Sequence, residues 1–356
     1  MTEAAPPLTV LALNSGSSSL KFGLYRVDAT HADALSTGDP ATASVEQQGD
    51  AMLDIVARLA ASGLPRPDAI GHRIVHGGPA LHGHVVIDDA VMSQLEAAAA
   101  FAPLHTPAAL AVLRLARQHF ASTPQVACLD TAFHADMPEV ARTLPIARAL
   151  RTEGIRRHGF HGLSCESIVR QLQPDVPARL VIAHLGNGAS ITAVQDGRSI
   201  DTSMGLTPTG GMMMVTRSGD LDPGLLVYLM REKRLDADGL DDLVIRSSGL
   251  LGVSGIDGDM RQIRAAAGTN ADAALAIEMF CRSACKQIAA MAASLGGIDT
   301  LVFTGGIGEN DASMRDAITR GLAWIGAFDV CVMPSQEDAQ IARHAWDRCT
   351  TGAGTG

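Results

Sequence analysis

The sequence predicts an α/β protein built from two related halves around a cleft. Short apolar strands alternate with helical segments along the chain. The 356 residues exceed one typical core, so two domains are expected. At an offset of 171 residues, Ser17-Ser18-Ser19-Leu20 lies over Gly188-Ala189-Ser190-Ile191, each behind a strand and a small-residue turn. The echo is weak by identity, and two glycine-type turns can look alike by chance. Read as a repeat, it means two halves facing each other across a cleft.

Residues 8–13 and 20–27 read as strands joined by the turn "NSGSSS". Residues 31–50 are polar and weakly patterned and read as a loop, whereas "AMLDIVARLA" (51–60) has helical period. "DAIGHRIVHGG" (68–78) is a strand running into glycines. Thr106 and Pro107 read as the N-cap and first residue of a helix carrying Leu110, Leu113 and Phe120. "PQVACLD" is a short buried strand ending at Asp130. "RLVIAHLGNGASITAVQDG" repeats the strand, turn, strand pattern, and residues 201–220 form a long Met-rich loop, either a binding loop or a flexible connection. Asn270 is placed to cap a long helix, and "DTLVFTGGIGEN" is a strand ending in glycines.

Composition narrows the function. Apolar residues make up 47% and charged residues 19%, as in soluble globular proteins. A net charge of −10 argues against a nucleic-acid or anionic-membrane surface. Of 28 basic residues only Lys21, Lys233 and Lys286 are lysine, so most positive charge is guanidinium, the fork that grips carboxylate and phosphate. The N-terminus has no basic signal region and no apolar run approaches a membrane span, so a cytoplasmic protein without membrane or nucleic-acid partners is expected. Cys128, Cys165, Cys281, Cys285, Cys331 and Cys349 form no C-x-x-C pair and read as reduced thiols. P-loop, dinucleotide, zincin and hydrolase-elbow motifs are absent.

What is present points to phosphate. "NSGSSS", "HLGNG" and "GGIGEN" each follow an apolar strand, where consecutive backbone N–H groups make anion-binding concavities. Arg73, Arg217 and Arg261 each sit among Gly, His or Asp near a strand or turn end. One such arginine is usually a surface residue; several together fit clamps on phosphoryl oxygens. His161 and His184 stand beside glycines, where a ligand can reach them, and Asp130 closes a strand, pointing at the usual ligand crevice.

These segments, with "PLHTP", "DTAFH", "GFHG", "DTSMGLTP", "TRSGDLDPG", "SGLLGVSG" and "DMR", run in one order from Asn14 to about Asn310. In that order they resemble the acetate/propionate kinase family, of the actin-like sugar-kinase superfold. The resemblance implies a duplicated actin-like (RNase H-like) two-domain α/β fold with a central cleft. Residues 1–132 plus 340–356 would form an N-terminal domain closed by the C-terminal tail, and 133–339 a nucleotide-binding and dimerisation domain. It implies transfer of the γ-phosphoryl group of ATP to acetate, giving acetyl phosphate and ADP, with Mg²⁺ or Mn²⁺, in a homodimer whose cleft closes on substrate.

By the same resemblance, Asn14 and Glu337 match the metal positions and Lys21 the ATP-binding lysine of the first turn. Arg73 matches the residue holding the substrate carboxylate, and Val75, Leu104, Phe160 and Pro208 the pocket for its methyl group. His161 and Arg217 match the transition-state pair, and Asp130 the active-site aspartate. The nucleotide segments match at His184, Leu185, Gly186, Asn187 and Gly188, at Asp259, Met260 and Arg261, and at Gly306, Ile307, Gly308, Glu309 and Asn310. An acceptor carboxylate with a pKa of about 4–5 is already ionised, so Asp130 is expected to position an arginine or a metal-bound water rather than take a proton.

The chain departs from the family at Val215, where Gly is usual, after "GFHG", where Thr-Ser-His is usual, and after Phe328, where it is shorter. The alternatives are a propionate or butyrate kinase of the same family, or a catalytically impaired nucleotide-binding homologue.

Overall fold

The computed structural model describes residues 5–16, 20–38, 45–102 and 105–351. Ser17, Ser18, Ser19 and Leu104 lie outside them. Two sheets organise the chain. The first has strands β1 (Leu8–Ser15), β2 (Leu20–Val27), β3 (Ala32–Gly38), β4 (Ala69–Ile74), β5 (Val85–Val86) and β6 (Gln125–Leu129), in the order β3-β2-β1-β4-β6-β5. The second has β7 (Arg179–Leu185), β8 (Ala189–Gln195), β9 (Arg198–Thr202), β10 (Thr300–Thr304) and β11 (Asp329–Val332), in the order β11-β10-β7-β8-β9.

The halves share one topology. In each, three strands meander antiparallel, and two more join parallel to the first after helical crossovers. The repeat is therefore architectural. Its offset is slightly shorter than 171 residues, because the last pairs of the two hairpins are Ser15 with Leu20 and Leu185 with Ala189.

Helices cover the sheets, which explains why strands such as "LVIAHL" are buried throughout and mostly apolar. Leu11, Leu13 and Leu24 pack on Met52, Ile55 and Val112 on one face of the first sheet. Val10 and Ala12 pack on Ile341, Ala342 and Ala345 of the C-terminal helix (Glu337–Thr351) on the other. A β-carbon at Gly71 of β4 would come within 2.6 Å of Ile341, so this helix needs glycine there to seat. In the second half, Phe280 and Ile288 of the helix Ala271–Leu295 cover one face, while Cys165 and Ile168 of the helix Gly162–Leu172 meet Ile182 and Val302.

Four local expectations need correction. Residues 31–50 are not a loop: 32–38 form edge strand β3 and a helix starts at Val45. The strand is mostly exposed and the helix opens on polar residues, so neither shows an apolar period. Thr106 is the first helical residue rather than the cap, its buried hydroxyl has no partner among the described residues, and Pro107 follows it. "GGIGEN" is a short helix, Gly305–Asn310, whose start is held by Glu309 Oε1 accepting the Gly305 N–H at 3.0 Å. The Met-rich loop is no flexible connection, because Met204, Met212, Met213 and Met214 are buried in the core. Asn270 does cap its helix, accepting the N–H groups of Asp272 and Ala273.

Candidate active site

A cleft of about 830 Å³ opens where the C-terminal ends of β1, β4, β6, β7 and β10 converge. That is the end of an α/β sheet where ligands sit. Asn14 ends on β1, Arg73 lies in β4, Asp130 follows β6, and His184 lies in β7. The first turn of the C-terminal helix adds Glu337 and Asp338.

Five of these side chains form one network. Arg73 donates from Nε and Nη2 to Asp130 Oδ2 at 2.9 and 2.7 Å, and from Nη1 to Asn14 Oδ1 at 3.2 Å. The Asn14 amide donates to Glu337 Oε2 at 3.2 Å and Asp338 Oδ1 at 2.8 Å. Burial works against the charge of Arg73, but Asp130, Glu337 and Asp338 outweigh it and hold the guanidinium above its usual range. Burial likewise opposes the charge of Glu337, yet Arg73 and His184 hold it below the ordinary carboxylate value. Burial raises Asp338, with Glu337 adding to the shift. Asp130 rises to about 6, burial outweighing Arg73. Its Oδ1 is buried with no partner among the described residues.

The opposite wall comes from the other half. His161, at the start of the helix Gly162–Leu172, has the left-handed φ of 58°. Its Nδ1 pairs with Ser190 Oγ at 2.9 Å and its ring stacks on His184, centroids 4.2 Å apart. His184 is tied to Ser164 Oγ at 2.8 Å. Burial, then the cationic character of His184, Arg73 and Arg217, pushes His161 well below the usual imidazole range. Arg217 is 9% exposed. It donates to the Pro208 carbonyl at 3.0 Å and lies 3.3 Å from His105 Nε2. No carboxylate among the described residues pairs with it. Burial, then Arg73, lowers it to about 10, so it stays a cation. A β-carbon at Gly188 would sit 3.1 Å from Arg217 Nη1 and 3.2 Å from His161 Nε2, so the turn closes tightly over both.

Lys21, Val75, Phe160, Pro208, Gly186, Asn187, Gly188, Gly306 and Glu309 line the same cleft. A second cavity of about 1100 Å³ shares Gly186, Asn187 and Gly306 with it and adds Asp259, Met260, Arg261, Ile307 and Asn310. Arg261 is clamped on Asp259 rather than reaching inward. Leu185 and Gly308 are buried and line neither cavity. Leu104 falls outside the described residues. Val215 lines the second cavity, where it meets Gly258. Among the wall residues that escaped the sequence reading are two polar ones, His105 and Asp338. His105 stood within "PLHTP", and Asp338 directly follows Glu337.

The acetokinase family model matches residues 40–340. An acetate kinase of Rhodopseudomonas palustris is 38% identical over 95% of this chain and 97% of its own length. Among solved structures, Porphyromonas gingivalis acetate kinase matches with a TM-score of 0.83 at 32% identity, over 96% of this chain and 99% of its own. A propionate kinase from Francisella tularensis matches with a TM-score of 0.84 at 33% identity, over 95% and 99%. Matched along its length in both sequence and fold, the chain belongs to the acetokinase family.

Proposed function

We propose that the chain is an acetate kinase, transferring the γ-phosphoryl group of ATP to acetate to form acetyl phosphate and ADP. The observation that carries this is Arg217, a buried cation without a carboxylate partner among the described residues, facing a cleft that also holds Arg73 and His161. A buried cation lacking a counter-ion is costly until an anion enters. Two anions must meet here, and fixed donors around the developing charge are what phosphoryl transfer needs.

Arg73 uses three of its five N–H donors on Asp130 and Asn14, leaving two for a carboxylate. Asp130 thus orients Arg73 and takes no proton, since the acceptor is already ionised. With the Ser190 hydroxyl donating to Nδ1, His161 presents an Nε2–H to the transferring group. Arg217 is held by a carbonyl and an imidazole, so its charge remains for the phosphoryl oxygens. Val75, Phe160 and Pro208 offer the methyl group an apolar wall. The second cavity, with Met260 and Ile307, has the apolar character a nucleoside requires.

Asn14, Glu337 and Asp338 supply hard oxygen donors beside the unpartnered Asp130 Oδ1, a set that suits Mg²⁺ or Mn²⁺. Asn14 and Glu337 would hold the ion, which would neutralise charge on the ATP phosphates.

The decisive assay traps acetyl phosphate as its hydroxamate. Product from ATP and acetate supports the reading, and none overturns it. Propionate is the competing acceptor, and kcat/KM for the two ranks them, because one methylene is worth only about 1–3 kcal/mol in an apolar pocket.

We further infer a cytoplasmic homodimer. All six cysteines are free thiols, which fits a reducing compartment. No helix among the described residues is long and apolar enough to cross a membrane. The helix Pro223–Glu232 buries no residue and exposes Leu225, Val227, Tyr228 and Met230, an apolar surface suited to a second copy. The domain division we favour is 1–132 with 340–356 against 133–339, supported by the packing of the C-terminal helix on the first sheet.

A further inference from the structure

His161 starts one helix and Glu337 starts another, and these two helices, Gly162–Leu172 and Glu337–Thr351, lie against each other. Their fastening is polar. Ser164 Oγ meets Ser335 Oγ at 3.0 Å, and Ser167 Oγ accepts the Gln336 N–H at 3.2 Å. Two turns into the C-terminal helix, His344 Nε2 lies 2.5 Å from Glu166 Oε2. The His84 ring lies against His344, tilted by 32° with centroids 3.6 Å apart, and its Nε2 is 3.6 Å from Glu166 Oε1.

Two imidazoles and a carboxylate this close have the composition of a metal site. The tautomer argues otherwise. His84 Nδ1 accepts the Leu129 N–H at 3.0 Å, so the neutral ring carries its proton on Nε2, the nitrogen facing Glu166. A metal would need that nitrogen bare. The trio is built to hold protons around a buried carboxylate. Burial alone would raise Glu166, but the hydrogen bond from His344 and the nearby His84 hold it at about 2, so it remains an anion.

We propose that Glu166 and His344 are positioning residues: their pairing pins the C-terminal helix to the helix that carries His161, and so keeps Glu337 and Asp338 against Asn14. A helix is stiff over two turns, about 10 Å, so a shift at His344 is passed to its first turn. Removing the pair loosens the acidic wall of the cleft and leaves the acetate wall, built from Arg73, Val75 and Phe160, in place.

The inference rests on the kinase reading above. The test uses Glu166→Gln, His344→Gln, both together, and the exchanged pair Glu166→His with His344→Glu. All carry Trp324→Phe, because the chain has two tryptophans and the other, Trp346, lies on the C-terminal helix. Each single variant is expected to raise the KM for Mg²⁺ about tenfold. The KM for acetate should stay within about twofold. Trp346 emission should shift to the red in each single variant. The double Gln variant should be no worse than either single, and the exchanged pair should recover both readouts.

Unchanged Mg²⁺ KM and emission in the singles would overturn the proposal. So would an additive double variant, or a uniform loss in every kinetic constant. If the singles do not fold, the exchanged pair decides: wild-type emission supports the pairing, and its absence refutes it. If the unsubstituted chain makes no acetyl phosphate, the kinase reading fails, while the emission series still judges the pairing.

Discussion

Arg217 sits in a place where a charge is expensive, held by a carbonyl and an imidazole. Such a residue is retained for what it does to an incoming anion. Arg217→Ala is expected to lower kcat about a thousandfold. ATP binding, measured by calorimetry, should survive, and Arg217→Lys should not rescue turnover, because a point charge lacks the fork. Near-normal turnover in the alanine variant would remove Arg217 from the chemistry. Asp130 yields a prediction in pH. Its folded value of about 6 lies above the ordinary carboxylate value, so it is charged only above pH 6. Only the charged form holds Arg73 fully, so kcat/KM for acetate should fall as pH drops through about 6. Stability should run the other way. A raised folded pKa adds stability at low pH and loses it as pH rises through that value. Asp130→Asn should flatten both dependences, with ATP titrating identically in the two proteins. A wild-type acid limb that persists in Asp130→Asn would assign it elsewhere.

The element that matters most to the chemistry is the β7–β8 hairpin, whose turn closes over both His161 and Arg217 at Gly188. Gly188→Ala would push a methyl group to within 3.1 Å of the Arg217 guanidinium. The guanidinium must yield by a few tenths of an ångström, less than the ~1 Å that costs about a hundredfold, so kcat is expected to fall about tenfold. The melting temperature should barely move, since the hairpin pairing is untouched; a large fall would mark Gly188 as structural instead. Elements of this kind were legible in the sequence because their signals are local. The two hairpins, the strands into "HRIVHGG" and "VACLD", and the Asn270-capped helix all carry apolar period or cap chemistry within a few residues. Strand β3 carried neither, because an exposed edge strand buries too little to pattern its residues. The contacts that make the site were not legible from pattern at all. Arg73 reaches Asp130 across 57 residues and Asn14 reaches Glu337 across 323, and no local rule constrains such pairs. They were reached only through a family resemblance, which was silent on the Glu166–His344 contact.

At the scale of the whole molecule, a duplicated fold leaves one cleft served by both halves. Each half ends in a helix that crosses toward the other: Gly162–Leu172 follows β6 and packs on the second sheet, while Glu337–Thr351 follows β11 and packs on the first. Among the described residues, one helix stands out for what it leaves uncovered. Leu225, Val227, Tyr228 and Met230 of the helix Pro223–Glu232 are 38–52% exposed, and no residue of that helix is buried. Isolated apolar side chains are ordinary on a surface, but four on one helix with no buried side call for a partner. A self-complementary patch produces a two-fold dimer, the commonest closed symmetry. Light scattering on a sizing column is therefore expected to give twice the chain mass of 37.0 kDa. Val227→Asp with Tyr228→Asp places like charges on both copies at such an interface, and should yield a monomer at micromolar concentration. The cleft is lined without this helix, so a folded monomer should retain ATP binding even where closure and turnover suffer. A wild-type protein that runs as a monomer, or a dimer indifferent to both substitutions, would put the partner surface elsewhere.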